Sequence, residues 1–247
     1  MVFALALGLF VSLPMRRSWV GVLLSIALVG FLVALLLTVT RAVWLGCLVS
    51  SAIILIMTLR RRTMLLIGVL AIPLILAGLF LLQQKRNVGF LDPTDHSTTW
   101  RETVWREGFT LLTSSPRHLL IGVGMDSLKG HWRQWGLFDA GRIPMGRMHS
   151  NFLQIALERG VPALLLWLVF LLVYARTVWR TLKERRKLQW MDRGILLGAL
   201  GGLVGFFISG IVHYNWGDSE VVMVLYFIMG LALAIHRKLN EEAKTLD

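Results

Sequence analysis

The sequence predicts an all-α membrane protein, a polytopic bundle of helices with one large loop outside the membrane. Hydrophobic residues make up 56% of the chain and the mean hydropathy is +0.67, values that exclude an ordinary soluble domain. Apolar segments recur along the chain, and all but the first approach the roughly 20 residues that a helix needs to cross a bilayer. The net charge of +12 is gathered in short clusters between these segments, which indicates membrane topology rather than nucleic-acid binding.

The apolar segments divide the chain into three parts. Residues 1–82 are expected to form transmembrane helices, residues 83–160 a long loop, and residues 161–247 the C-terminal transmembrane helices. The first segment has no basic region before it, so we interpret it as a partial membrane segment rather than as a cleavable signal peptide. The apolar segments are residues 1–14, 19–39, 42–59, 63–82, 161–180, 193–212 and 221–236. In the sixth, Gly194, Gly198 and Gly202 recur every four residues, a spacing that lets membrane helices approach closely and predicts a central span.

The basic clusters predict the orientation of the chain in the membrane. One side of the membrane accommodates all of them, and the positive-inside rule makes that side the cytoplasm. The C-terminal tail then lies in the cytoplasm, whereas the long loop and the hairpin of residues 213–220 face the periplasm of a bacterium. Chemistry on that face lacks ATP and needs a donor that is already activated, such as a lipid diphosphate. The clusters are Arg16-Arg17, Arg60 to Arg62, Lys183 to Lys187 and Arg237-Lys238.

His149 is the strongest candidate for a catalytic residue. Ser150 or Asn151 can cap the apolar, helix-like run that follows, so His149 is expected at or just before a helix N-terminus. The partial positive charge of that end disfavours imidazolium and attracts anions such as phosphate. A neutral base beside an anion site indicates group transfer from a phosphorylated donor.

The loop is predicted to begin with an amphipathic helix that lies on the membrane. Its apolar stripe opposes Glu102, Arg106 and Glu107, which are expected to face solvent. Arg101 in this helix is a candidate contact for a diphosphate or an acceptor; an ion pair with Glu102 or with a lipid headgroup is equally compatible with the sequence. The stripe consists of Trp100, Val104, Trp105, Phe109, Leu111 and Leu112.

Other charged residues extend the candidate site. Arg41 lies where two apolar runs meet, either as an interfacial anchor or as a bidentate phosphate ligand, and we favour the ligand. Arg142 and Arg147 stand among aromatic residues, a composition that suits sugars and phosphates. Asp218 in the hairpin is a candidate partner for His149 or Arg41, or else part of a solvated turn.

No metal or other cofactor is expected. The sequence contains no Asp-x-Asp pair of the kind that holds a metal in many group-transfer enzymes, and its single cysteine, Cys47, excludes a Cys-based metal cluster. The positive charge that a departing diphosphate requires would therefore come from arginine side chains.

The stretch from His149 to Ala163 resembles the motif of the O-antigen ligase family. In that motif His is followed by Asn, Ser or Gln, nine residues, Gly, two residues and Gly. Here the pattern is His149-Ser150, nine residues and Gly160, and it departs at the last position, which is Ala163. Arg41 in Thr-Arg, Arg101 in Trp-Arg and the Gly-x-Gly of residues 122–124 are also similar to positions of the family pattern.

This resemblance implies a GT-C-like glycosyltransferase in the bacterial inner membrane. Its expected reaction is transfer of O-antigen from undecaprenyl diphosphate to the lipid A-core of lipopolysaccharide, without a metal and with inversion at the anomeric carbon. His149 would deprotonate the acceptor, and Arg41, with Arg101 or another loop arginine, would contact the diphosphate. We therefore predict that His149 and Arg41 line one cavity. The expected partners are the lipid-linked polysaccharide, the lipid A-core and membrane lipids, and not nucleic acid.

Several alternatives share these sequence features. An O-antigen or exopolysaccharide polymerase would use another lipid-linked unit as acceptor, and a protein oligosaccharyltransferase would use a protein hydroxyl. A transporter or flippase is disfavoured because the spans carry almost no ionisable residues. The family usually has several more helices on the N-terminal side, so an inactive fragment is a further alternative.

Overall fold

A computed structural model describes residues 1–14, 18–38, 40–59, 63, 96–184 and 188–245. Within these ranges all regular structure is helical, which confirms the predicted all-α class. The predicted span at residues 63–82 lies almost entirely outside the described residues, as do the basic clusters at residues 16–17 and 60–62. In chain order the helices are α1 (Val2–Ser12), α2 (Ser18–Thr38), α3 (Arg41–Thr58), α4 (His96–Thr113), α5 (Pro116–Ile121), α6 (Ser127–His131), α7 (Leu137–Gly141), α8 (Asn151–Arg159), α9 (Val161–Glu184), α10 (Trp190–Ser209), the 3-10 turn η1 (Asn215–Gly217) and α11 (Ser219–Lys244).

Helices α3, α9, α10 and α11 are each long and apolar enough to cross a membrane. The shorter α1 and the apolar part of α2, Trp19–Leu35, add to this apolar set. A chain with several such helices is a multi-pass membrane protein, as the sequence predicted. Helices α9 and α11 extend beyond the predicted apolar segments because the polar residues that follow, up to Glu184 and Lys244, continue the same backbone hydrogen bonding.

The described residues belong to two compact units. The membrane unit contains Met1–Thr58, Ser150–Phe152 and Leu164–Asp247. The loop unit contains Leu59–His149 and Leu153–Ala163.

Helix α10 is the centre of the membrane unit, as its glycine spacing predicted. In the most apolar part of α10, 61% of the residues are buried, whereas the corresponding fractions for α3, α9 and α11 are 17%, 22% and 28%. A Cβ atom on Gly198 would lie 3.0 Å from the carbonyl oxygen of Ala4 in α1, and one on Gly205 would lie 3.2 Å from the carbonyl oxygen of Gly46 in α3. The backbones meet this closely only because these residues have no side chain.

Helix α4 is the longest of the described helices in the loop unit, and two features of it differ from the sequence prediction. Its residues Val104, Leu111 and Leu112 are buried in the protein rather than laid on a membrane surface, while Phe109 is 62% exposed. Glu107 was expected to face solvent, but its carboxylate accepts hydrogen bonds from the backbone of α7. Helical periodicity separated the apolar face of α4 from its polar face. It could not predict that other parts of the loop would pack against residues on both faces.

Candidate active site

The loop unit contains a cavity of about 700 Å³ with His149 in its wall. This volume lies within the range that binds a small molecule or a few sugar rings. Most of the wall comes from the first two turns of α4 and from the segment that follows α7. The lining residues are Thr99, Trp100, Arg101, Thr103, Ile143, Pro144 and His149.

The backbone at His149 is strained, and hydrogen bonds fix the residue that precedes it. His149 has a φ of 47°, in the left-handed region that a non-glycine residue rarely adopts. The neighbouring Met148 is fully buried; its amide donates to Oε1 of Gln154 at 2.8 Å, and its carbonyl accepts from Nε1 of Trp105 at 2.7 Å. Such strain costs about 1–3 kcal/mol and persists where the surroundings enforce it, often at functional sites.

The surroundings of His149 favour the neutral form of its imidazole. The side chain is half-buried, and the ring of Trp100 meets it edge-to-face with ring centroids 5.0 Å apart. Burial, and then the positive charges of Arg101 and Arg147, hold the pKa of His149 below its ordinary value. The sequence predicted a neutral ring from the helix N-terminus; in the structure α8 begins at Asn151, and burial and two arginines produce the shift.

A buried polar network lies behind His149, and the sequence analysis missed it. Gln154 and Glu158 are only 3% and 6% exposed. Nε2 of Gln154 donates to Oε1 of Glu158 at 2.7 Å, and the same oxygen accepts from the amide of Asp126 at 3.4 Å. The available signal was a Gln and a Glu four residues apart on a predicted apolar helix, the spacing at which helical side chains meet.

The motif glycine, Gly160, ends α8 in a conformation that only glycine adopts without strain. Its φ is 85°, and a Cβ atom there would collide with the carbonyl of Leu120. The Gly-x-Gly segment packs against the same helix end, since the amides of Val123 and Gly124 donate to the carbonyls of Leu157 and Glu158. Ala163 lies in the first turn of α9 without a positive φ, which explains why alanine is tolerated there.

The other predicted site residues fall in several places. Arg101 lines the cavity, and Arg147 is near enough to influence the pKa of His149. Arg142 is exposed and bonds to Asp139, with Nη2 2.7 Å from Oδ1. Arg41, the first residue of α3, and Asp218, which is exposed just before α11, belong to the membrane unit, so a cavity shared by Arg41 and His149 stays a prediction.

Two other histidines of the loop unit have local partners. Nδ1 of His118 lies 2.9 Å from the hydroxyl of Ser114, and Nδ1 of His131 lies 3.2 Å from the carbonyl of Ser127. The side chain of His96 lies outside the described residues. Among the side chains that are described, no group of three or more His, Cys, Asp or Glu is placed to hold a metal ion.

Comparison with known proteins identifies the family. The family model described as O-Antigen ligase matches residues 26–168, which is more than half of the 247 residues. The matched range includes Arg41, Arg101, His149 and Gly160. No curated protein matches the chain. The chain is a multi-pass membrane protein, and its loop unit contains a cavity lined in part by His149. It therefore belongs to the O-antigen ligase family.

Proposed function

We propose that this protein is an O-antigen ligase of the bacterial inner membrane. It transfers a polysaccharide from undecaprenyl diphosphate to the lipid A-core on the periplasmic face, where residues 83–160 form the catalytic loop. The observation that carries the proposal is the His149 imidazole, held neutral by burial and by Arg101 and Arg147 in the wall of a cavity large enough for sugar rings. Family membership supports the reaction class.

The proposed reaction is a single displacement. His149 takes the proton of the acceptor hydroxyl as its oxygen bonds to the anomeric carbon of the donor, and the bond from that carbon to the diphosphate oxygen breaks. Attack from the side opposite to the leaving group inverts the anomeric centre. Arg41 and Arg101 compensate the negative charge that develops on the diphosphate, because guanidinium groups keep their charge and bind phosphate oxygens in pairs. Arg142, Arg147 and Asp218 are proposed to contact the substrates.

A complementation experiment tests the proposal. The protein is expressed in a host that makes undecaprenyl-linked O-antigen and a compatible lipid A-core but lacks its own ligase. A ladder of O-antigen on lipopolysaccharide is the expected result on a gel. Longer lipid-linked chains without a ladder would instead assign the protein to the polymerase branch, and the absence of both products with well-expressed protein would contradict the proposal.

The activity is expected to remain high at mildly acidic pH. A general base must be unprotonated, so kcat/KM falls as the pH drops through the pKa of His149. Because burial and the two arginines lower this pKa, the acidic midpoint should lie below about 6.5, the ordinary value for histidine.

Arg147→Gln should move that midpoint upward, since it removes a positive charge that disfavours imidazolium. Arg117→Gln, at an exposed arginine of α5, is the matched control and should leave the midpoint in place. A profile of kcat/KM against pH checks both variants. An acidic midpoint above that of an ordinary histidine in the wild type would contradict the expectation.

A further inference from the structure

Element α7, just before the cavity-lining segment, is a turn of left-handed backbone rather than a right-handed helix. Phe138, Asp139 and Ala140 have φ values of 60°, 54° and 54°, and Gly136 and Gly141 on either side have values of 64° and 89°. Glycine adopts this region freely, but three successive L-residues do not, because each Cβ crowds the following carbonyl. The left-handed turn therefore needs support from outside its own sequence.

Glu107 supplies that support from α4. Its Oε2 accepts a hydrogen bond from the amide of Phe138 at 2.6 Å, and its Oε1 accepts one from the amide of Asp139 at 2.9 Å. A carboxylate presents two acceptors and binds backbone amides more strongly than a neutral group. A glutamine of the same shape would place an NH₂ group against one of these amides, donor against donor.

The left-handed turn carries part of the cavity wall. Phe138 is fully buried, and its ring lies 6.3 Å from that of Trp100 and 5.9 Å from that of Trp132. Its carbonyl accepts from the amide of Ile143 at 3.1 Å, where the cavity-lining segment begins. The next carbonyl of that segment, on Pro144, accepts from Nε1 of Trp100 at 3.1 Å.

We propose that Glu107 is a positioning residue for the reaction at His149. Glu107 does not line the cavity; its carboxylate fixes the left-handed turn, which in turn fixes Phe138, Pro144 and the Trp100 ring beside His149. The turn thereby determines where a sugar ring sits relative to the base. This inference rests on the proposed function, since the substrate placed in the cavity is a glycan.

Glu107→Gln tests the inference in the full-length protein. We expect kcat/KM for transfer to fall by roughly tenfold to hundredfold, because small displacements of a substrate lower reaction rates by such factors. The matched control is Glu102→Gln, at an exposed glutamate of the same helix, which should retain wild-type activity.

Substitutions at the exposed Ala140 separate positioning from general damage to the fold. Ala140→Gly lowers the cost of the left-handed backbone, so adding it to Glu107→Gln should restore activity by about fivefold. Ala140→Val raises that cost and should reproduce the loss with Glu107 intact, which keeps the test decisive even where Glu107→Gln does not fold.

Chemical modification of His149 tests, without a substrate, whether Glu107 fixes the residues around the imidazole. The rate at which diethyl pyrocarbonate modifies His149, measured by mass spectrometry above pH 7.5, should rise several-fold in Glu107→Gln and return toward the wild-type rate in the double variant. A changed modification rate in a protein without transferase activity would overturn the proposed function but would still show that Glu107 positions the residues around His149. Unchanged kcat/KM and modification rate in Glu107→Gln, or no restoration by Ala140→Gly, would overturn the role of Glu107.

Discussion

His149→Asn should abolish formation of the O-antigen ladder in cells and lower the transfer rate of purified protein by about 10²–10⁴-fold, the usual contribution of a general base. Asparagine is the informative replacement because it tolerates left-handed backbone better than most residues. The variant therefore keeps the φ of 47° at this position and removes the base. The measurement is the initial rate of transfer from a lipid-linked glycan to lipid A-core, at equal amounts of folded protein.

His131→Asn is the matched control for this substitution. His131 is exposed, and it is not among the residues that line the cavity. Its replacement should leave the transfer rate within about twofold of the wild type, since exposed substitutions away from a site have small effects. A His149→Asn variant with the wild-type rate would exclude His149 as the base.

Gly160→Ala should destabilise the protein by roughly 2–5 kcal/mol, the combined cost of a left-handed alanine and of a methyl group forced into occupied space. The new Cβ would meet the carbonyl of Leu120, and the φ of 85° would stay unfavourable whatever moved aside. Because the end of α8 also anchors the Gly-x-Gly segment, transfer should be lost together with stability. Thermal unfolding in detergent measures the effect.

Gly130→Ala provides the comparison for Gly160. A Cβ atom on Gly130 would have no neighbour within 4 Å, and its φ is not in the left-handed region. Alanine is favoured over glycine inside a helix by about 0.5–1 kcal/mol, so this variant should unfold at or slightly above the wild-type temperature. Equal unfolding temperatures for Gly160→Ala and the wild type would contradict the role given to the motif glycine.

The sequence predicted the features that depend on long apolar runs and on local signals. The helical class, the spans α9, α10 and α11, and the central place of the span with Gly194, Gly198 and Gly202 all follow from hydrophobicity and small-residue spacing. The start of α8 just after His149 follows from polar residues before an apolar run. These signals act within one helix or between helices that pack along their lengths.

The parts that were not predicted depend on contacts between distant residues. Of Phe138, Asp139 and Ala140, only Asp139 has some local preference for left-handed backbone, and the sequence analysis predicted no turn of this kind. That turn is stabilised by Glu107, which lies 31 residues before Phe138.

The same limit applies to the environment of His149. The sequence placed it at a helix N-terminus, but in the structure its ring packs against Trp100 of α4, and Ile143 and Pro144 after α7 line the same cavity. No periodicity in the sequence predicts these contacts. The carboxamide of Asn151, considered as a helix cap, instead accepts a hydrogen bond from the amide of Trp216. Hydrogen bonds between residues so far apart in sequence depend on the tertiary structure and cannot be predicted from local sequence.

The most direct test of a single displacement promoted by His149 is the anomeric configuration of the newly formed linkage. Purified protein is incubated with a lipid-linked glycan of known configuration and with lipid A-core, and the product linkage is determined by NMR. The proposed mechanism predicts inversion, with no product from His149→Asn. Retention of configuration would require a covalent glycosyl intermediate and would contradict direct attack by an acceptor that His149 deprotonates.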